Sequence, residues 1–319
     1  MSRSVRLIAD ADFDAAMAMR SFAFGHPLSD EHREFLRSNA AHILGSFEDG
    51  ELKSVATMWP FTAYVGGARK PLGGLASVAT EPTARRRGHV ADLLRAWFAR
   101  LCESGCGLSA DSPFDPRFYA RYGYQSVPHG YLLRLPMDAL GPAEAVDAQR
   151  LDPGDYAYSS PAGRRRLLAY LAGFAGQVAT VQVMVPPGEP LAAMYGDRNM
   201  RRTTGLQVRV VDMPLALEGL KAPAEDGFDL ALHDPDCPWQ DGVFRVTVGP
   251  DGCEAKRLDG AVDADVRMGP LGLAAALFHA QDPGSLLATG AAEGDERPLR
   301  ALAGLLARHP VYMPRADHF

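Results

Sequence analysis

The chain has 319 residues, a formal net charge of −6, 47% hydrophobic and 23% charged residues, and no low-complexity tract. This is the profile of a soluble globular protein of two or three domains, and its charge disfavours nucleic acid while mildly favouring a cationic partner. No run approaches the roughly 18 apolar residues that span a bilayer, and the opening MSRSVRLIADADFD lacks the apolar core of a secretory signal. Cys102, Cys106, Cys237 and Cys253 form no C-x-x-C pair, so no disulfide framework and a cytoplasmic setting are expected.

The first 135 residues alternate between strands and helices. Val5 to Ile8 reads as a short strand, and Asp10 or Asp12 caps a helix through Met19. Ser29-Asp30-Glu31 opens a second helix, with its acids where the helix dipole favours them. His42 to Phe47 and Leu52 to Pro60 are strand-like runs joined by Asp49-Gly50, a hairpin signal. Gly66-Gly67 marks another hairpin leading into Gly73 to Thr80. Val90, Leu93, Leu94, Trp97, Phe98 and Leu101 then repeat at the spacing of one buried helix face, with Gly105 just past its end. Leu108 to Ala110 is a short buried strand, and Asp115-Pro116 starts a helix.

Pro136 to Asp155, rich in Pro, Gly, Ala and Asp, reads as a linker. Beyond it come a helix over Arg164 to Phe174 and apolar strands at Val178 to Val185 and Leu206 to Val211. A second boundary falls at Ala222 to Gly227. The last segment has strands around Leu230 and over Phe244 to Val248, then a helix opened by Pro298 that carries Leu299, Leu302, Leu305 and Leu306. Leu271, Leu277 and Phe278 read as core. No internal repeat is present: Arg164-Arg165-Arg166 follows its glycine, whereas Arg85-Arg86-Arg87 precedes one.

The informative stretch runs from Leu75 to Val90. A strand (Leu75 to Thr80) leads through a turn to Arg85-Arg86-Arg87-Gly88 and directly into the amphipathic helix. The first turn of a helix leaves backbone N–H groups unpaired and carries partial positive charge, so this order of elements suits a pyrophosphate. Gly88 lets the backbone approach a phosphate closely, and the arginines add long-range attraction and bidentate contacts. The plainer alternative is a solvated basic turn before a surface helix.

Arg85-Arg86-Arg87-Gly88 before a helix resembles the acetyl-CoA loop of the GNAT (Gcn5-related N-acetyltransferase) superfamily, although Val90 stands where the loop usually has a small residue. Ser112-Pro113-Phe114-Asp115-Pro116-Arg117-Phe118-Tyr119-Ala120-Arg121-Tyr122-Gly123-Tyr124 is similar to the corresponding segment of the enhanced intracellular survival (Eis) acetyltransferases. Gly205 to Met213 resembles the strand that closes their middle region. Asp236 to Gly242 and His309 to Phe319 resemble their sterol-carrier-protein-like C-terminal domain. The resemblance implies an α+β chain with a GNAT mixed β-sheet flanked by helices over 1–135. It further implies a reduced second GNAT-like domain over 136–221 and an SCP2-like α+β domain over 222–319.

The activity implied is acetyl-CoA-dependent N-acetyl transfer to a small cationic or lysine-like amine, in a homo-oligomer that in Eis-like proteins is usually a hexamer. Acetyl-CoA would be held by Val78, Ala79, Thr80, Arg85, Arg86, Arg87, Gly88, His89, Val90 and Ser112, with the oxyanion on a backbone N–H of the splayed strand near Val78 to Thr80. Tyr119 matches the general acid; a phenol of pKa about 10 is not badly mismatched to a thiol of about 8.5. It reads equally as one of several packed aromatics. The base falls on the α-carboxylate of Phe319, whose ordinary pKa of about 3.3–3.7 needs burial or a relaying water to be useful.

Phe24 is the expected wall of the acceptor pocket and His26 borders it; His89 and His129 are further candidate bases. His233, Asp234, Asp236 and Cys237 match no metal spacing and read as a turn, so no metal is expected. Nucleic acid and membrane are not expected partners. Two other readings compete with the enzyme. One is a non-catalytic acyl-CoA-binding or regulatory protein on a GNAT scaffold. The other is a lipid carrier acting through the C-terminal domain.

Overall fold

The computed structural model describes residues 2–128, 130–136, 150–155, 160–174, 177–185, 189–191, 200–203, 206–260, 262–307, 311 and 313. The chain forms two compact units: one runs to Gln125 and resumes with Gln207–Ala307, and the other takes in Ser126–Leu206 and Arg308–His318.

The first unit opens with β1 (Arg3–Leu7), α1 (Asp10–Phe24), α2 (Asp30–Ser38), β2 (Ile43–Glu48) and β3 (Glu51–Val65). β4 (Ala68–Thr80), α3 (His89–Glu103), β5 (Leu108–Asp111), α4 (Pro116–Ala120) and β6 (Gln125–Val127) follow. Local chemistry explains the boundaries. The Asp12 carboxylate accepts from the Ala9 N–H at 2.8 Å and the Ser29 hydroxyl from the His32 N–H at 3.2 Å, satisfying first-turn donors of α1 and α2. The β2–β3 hairpin turns on Asp49 and Gly50, both at positive φ (49° and 87°), the pair of conformations a two-residue hairpin turn requires. On α3, Leu93, Leu94, Trp97, Phe98 and Leu101 are all buried in one cluster with Leu75 of β4, as their spacing predicts.

In the second unit, β7 (Gly130–Pro136), β8 (Arg150–Asp155), β9 (Thr180–Val185) and β10 (Met200–Thr203) form a sheet in the order β10-β7-β9-β8. α5 (Pro161–Ala172) begins on Ser160, whose hydroxyl accepts from the Gly163 N–H. Leu133, Leu135, Leu171, Val181, Val183, Val185 and Leu191 make its core. β8 falls inside the stretch that composition marks as linker: Arg150–Asp155 is paired in parallel with β9 around a register shift, and its Pro and Gly hide the strand from a propensity reading.

The chain then returns to the first unit. β11 (Leu206–Val210), read from sequence as the strand closing the middle region, pairs antiparallel with β5 from Gln207–Asp111 to Val210–Leu108. The completed sheet has the order β1-β2-β3-β4-β5-β11-β6. α6 (Met213–Leu217) leads to a five-stranded sheet, order β14-β13-β12-β15-β16, built from β12 (Asp226–Leu232), β13 (Gly242–Gly249), β14 (Gly252–Arg257), β15 (Val266–Met268) and β16 (Ala292–Gly294). α7 (Pro270–Leu277), α8 (Pro283–Ala288) and α9 (Glu296–Leu306) accompany it. α9 starts two residues ahead of the expected Pro298. Leu277 and Phe278 are core, as expected. Among the described residues no helix is long and apolar enough to cross a membrane.

One buried ion pair joins the two sheets of this unit. Arg209 of β11 and Asp234, just after β12, both have fully buried side chains, and Arg209 Nη2 donates to both carboxylate oxygens at 2.8 Å. Arg209 also donates to the Tyr122 carbonyl and lies 4.2 Å over the Phe98 ring. Asp234 accepts further from Gln240 Nε2 at 2.7 Å and the Asp236 N–H at 3.2 Å. His233 pairs with Asp241 and Asp236 with Arg95 of α3. The cluster of 233–237 is therefore an anchor between sheets. Removing Asp234 leaves a buried, unpaired guanidinium, so Asp234→Ala is expected to destabilise this unit by about 3–5 kcal/mol. Asp229→Ala, which breaks a pair whose Arg245 partner is exposed, should cost much less, because the released guanidinium stays in water. Urea unfolding of the two variants checks the contrast.

Candidate active site

The site grows from a fork in the first sheet. β4 and β5 run parallel only from Gly73–Ser109 to Leu75–Asp111, after which β4 continues alone to Thr80. At the same point its ladder with β3 slips: Thr57 faces Ala76 and Val55 faces Ala79, so Ser77 and Val78 together oppose the single Ala56. This is a β-bulge, and Ser77 takes the left-handed conformation at φ 52°.

Beyond the fork the chain passes through Arg85-Arg86-Arg87-Gly88 into α3. Arg86 (φ 62°) and Gly88 (φ 92°) are both left-handed, a curl of the kind that can make an anion-binding concavity, and they lead into the first helical turn, whose N–H groups lack intrahelical partners. A Cβ on Gly88 would sit 3.1 Å from Arg3 Nη1, so both the backbone angle and the space favour glycine here. A cleft of about 740 Å³ opens on this loop, and its lining includes Phe24, Val78, Ala79, Thr80, Arg85, Arg86, Gly88, His89 and Val90. Phe114, Phe118, Arg121 and Tyr122, from the α4 region, line its other wall.

The remaining expected residues lie off the lining. Arg87 turns to the buried Glu48 of β2, with Nη2 2.7 Å from Oε2. Ser112 is exposed one residue beyond β5, and His26 is exposed with its ring against the Pro27 carbonyl. His89 contributes its position at the start of α3, while its imidazole points inward to Ser46 Oγ, 2.9 Å from Nδ1. Burial, followed by the Arg3 guanidinium, holds that imidazole below its ordinary range. Tyr119 is 4% exposed and packs edge-on against Phe118, Phe114 and Tyr124. Burial above all, then the Asp111 carboxyl and Tyr122, push its phenol well above the ordinary value. Phe319 and His129 lie outside the described residues.

Two buried charges at the fork have no forecast in the sequence reading. Asp111 ends β5 at 2% exposure, and neither of its oxygens has a hydrogen-bond partner; burial pushes its carboxyl up to about 8. Arg20, in the last turns of α1, is 5% exposed. Its signal was an arginine continuing the helix face of Phe13, Ala16 and Met17. Asp111 gave only an acid at the end of an apolar run, which reads as a strand stop.

Asp111 makes stability depend on pH. The folded protein binds a proton up to about pH 8, whereas the unfolded chain releases it near 4. Between those values the folded state holds the extra proton, so stability falls as pH rises through the window. Asp111→Asn removes the slope: relative to the parent it should gain roughly 1 kcal/mol per pH unit from pH 5 to 8, measured by urea unfolding at each pH.

The chain is similar to known proteins in domain type and in fold. An acetyltransferase (GNAT) domain model matches residues 4–127 and a sterol carrier protein domain model matches residues 213–314. A GCN5-related N-acetyltransferase from Kribbella flavida is 21% identical with both chains covered in full, at a TM-score of 0.83. Another from Anabaena variabilis, 15% identical over 100% of both chains, has a TM-score of 0.85. Eis1 from Mycobacterium abscessus, 16% identical over 100% of both, has 0.82. At such identities the likeness is one of fold. No curated protein sequence matches the chain. Residues 4–127 are an acetyltransferase domain of the GNAT type, the class that takes its acetyl group from acetyl-CoA, and residues 213–314 are a sterol carrier protein domain.

Proposed function

We propose that this protein transfers the acetyl group of acetyl-CoA to the amine of a small cationic or lysine-like acceptor, with Tyr119 as general acid. The observation that carries the proposal is the joining, in one cleft, of a left-handed Arg86–Gly88 loop at a helix start with the bulged strand Val78–Thr80 beside the sheet fork. The loop suits the phosphates: its backbone N–H groups and the Arg85 and Arg86 side chains supply donors and charge. The bulged strand suits the thioester, because a bulge disrupts the ladder at Ser77–Val78 and makes the Val78 N–H the candidate donor for the negative charge that develops on the carbonyl oxygen.

Tyr119 lies beneath Phe114 and Phe118, behind the α4 wall of the cleft. Its raised pKa keeps the phenol protonated at neutral pH, and it also makes Tyr119 a weaker donor toward a departing thiolate than a free phenol. The acceptor class rests on the Eis resemblance. The placement of Tyr119 off the cleft lining favours one competing reading, a protein that binds acyl-CoA without turning it over.

The deciding assay is acetyl-CoA-dependent release of CoA thiol over a panel of polyamines, aminoglycosides and lysine peptides. Stimulation by an amine is the expected result. Tyr119→Phe should then lower kcat on the order of 100-fold or more, the scale of a lost general acid, with acetyl-CoA binding by calorimetry unchanged. No stimulation by any amine, with binding intact, supports the non-catalytic reading.

A further inference from the structure

Arg20 occupies a position where α1 should present an apolar side chain. Phe13, Ala16 and Met17 precede it on the same buried face and pack into the core with Val55 and Ala79. Its guanidinium reaches across the sheet to two hydroxyls, Nη1 donating to Thr57 Oγ1 at 2.9 Å and Nη2 to Ser77 Oγ at 2.6 Å. Its Nε is buried without a partner, and no carboxylate pairs with it among the described residues. Burial lowers its pKa to about 10, so it remains charged at neutral pH. A buried guanidinium with only two hydroxyls for company is expensive, and something about the hydroxyls must justify it.

Their positions supply the reason. Thr57 is the β3 residue on one side of the bulge, facing Ala76, and Ser77 is the first of the two residues, Ser77 and Val78, that make the bulge. Ser77 holds φ 52°, a left-handed conformation in which glycine is the comfortable occupant and a residue with a Cβ is strained. The serine therefore stands there for its hydroxyl, and the partner of that hydroxyl is Arg20. We infer that Arg20 is a positioning residue, a clamp that ties Thr57 of β3 to Ser77 of β4 and so fixes the bulge that aims the Val78 N–H into the cleft. The inference rests on the reading of Val78 as the oxyanion donor. It adds that the donor is preorganised by a side chain from the opposite helix and not by the strand alone.

The test uses the full chain with Arg20→Met, Ser77→Gly and the double variant, read by amide hydrogen exchange and by kinetics. Methionine fills much the same space without hydrogen bonds, so folding should survive. Arg20→Met is expected to speed exchange at Ser77–Thr80 while leaving Arg85–Ala91 unchanged. It should also lower kcat on the order of 100-fold, the scale of a misplaced catalytic group, with little effect on acetyl-CoA affinity. Adding Ser77→Gly, which adopts the left-handed turn unaided, should restore at least part of kcat. Unchanged exchange at Ser77–Thr80 in Arg20→Met overturns the clamp. So does faster exchange with no recovery in the double variant, which would assign the loss to the missing charge. If the parent protein acetylates no amine, the transferase reading fails by itself, and the exchange data still decide whether Arg20 holds the bulge.

Discussion

The pair of Arg209 and Asp234 holds together the part of the molecule on which the cleft is built. Arg209 projects from β11, the strand that extends the first sheet past β5, and Asp234 follows β12 of the five-stranded sheet. Around this bond the chain has little freedom. The guanidinium covers the Phe98 ring of α3, donates to the Tyr122 carbonyl after α4, and touches Cys237 Sγ at 3.0 Å. Gly123 stands at φ 81° directly against it, where a Cβ would collide with Nη1, so the turn carrying Tyr119, Tyr122 and Tyr124 is seated on the arginine. A buried ion pair brings little net stability over an apolar equivalent. What this one supplies is registration: α3, the α4 turn, β11 and the sterol carrier domain meet at one group whose hydrogen bonds admit a single arrangement.

The fork between β4 and β5 is the second constraint, and it too is governed by polar groups kept from water. A sheet of this kind is most easily completed by continuous pairing; here the pairing stops at Leu75–Asp111 and the core behind it holds polar groups. Ser109 hydrogen-bonds to Trp97, Tyr124 and the Gly73 carbonyl, closing the paired end of the fork with a satisfied network. Asp111, two residues further on the same face, has no such partner. Arg20 sits on the other side of the sheet, against Thr57 and Ser77. At the fork, the satisfied Ser109 network lies where the strands pair, and the undersatisfied Asp111 and Arg20 lie where they part. That division is what a strained functional site in an otherwise consistent fold leads one to expect.

Much of this was legible in the residues. The buried face of α3, the Ser29 cap and the Asp49-Gly50 hairpin follow from periodicity and turn chemistry, and the basic loop was readable because strand, loop and helix come in the order that phosphate binding needs. The rest was hidden for identifiable reasons. β8 contains Pro153 and Gly154 and has the composition of a linker. β11 follows the second unit in sequence but joins the first in space, and nearest-neighbour reading cannot see a return of that kind. The run His233-Asp234-Asp236-Cys237 was correctly legible as a turn, yet the importance of that turn depends on Arg209, distant in sequence. Arg20 and Asp111 each looked like the end of an apolar pattern, since a lone charge there is ordinarily a residue emerging into solvent.

The electrostatics of the cleft differ from the sum of charge over the chain. The chain carries a net charge of −6, but the cleft is lined by Arg85, Arg86 and Arg121, with no acid among its described lining residues. The acids nearest the loop are already engaged, Glu48 with Arg3 and Arg87, and Asp92 with Arg3 and Arg95. Their effect is to neutralise the outer arginines and leave Arg85 and Arg86 as the charge presented to the cleft, beside the positive end of α3. Field in a recess is set by the groups that line it and their low-dielectric walls, not by the sum over the chain. The whole-chain charge therefore says nothing about what enters this cleft, whereas the arginine lining matches the phosphates of acetyl-CoA.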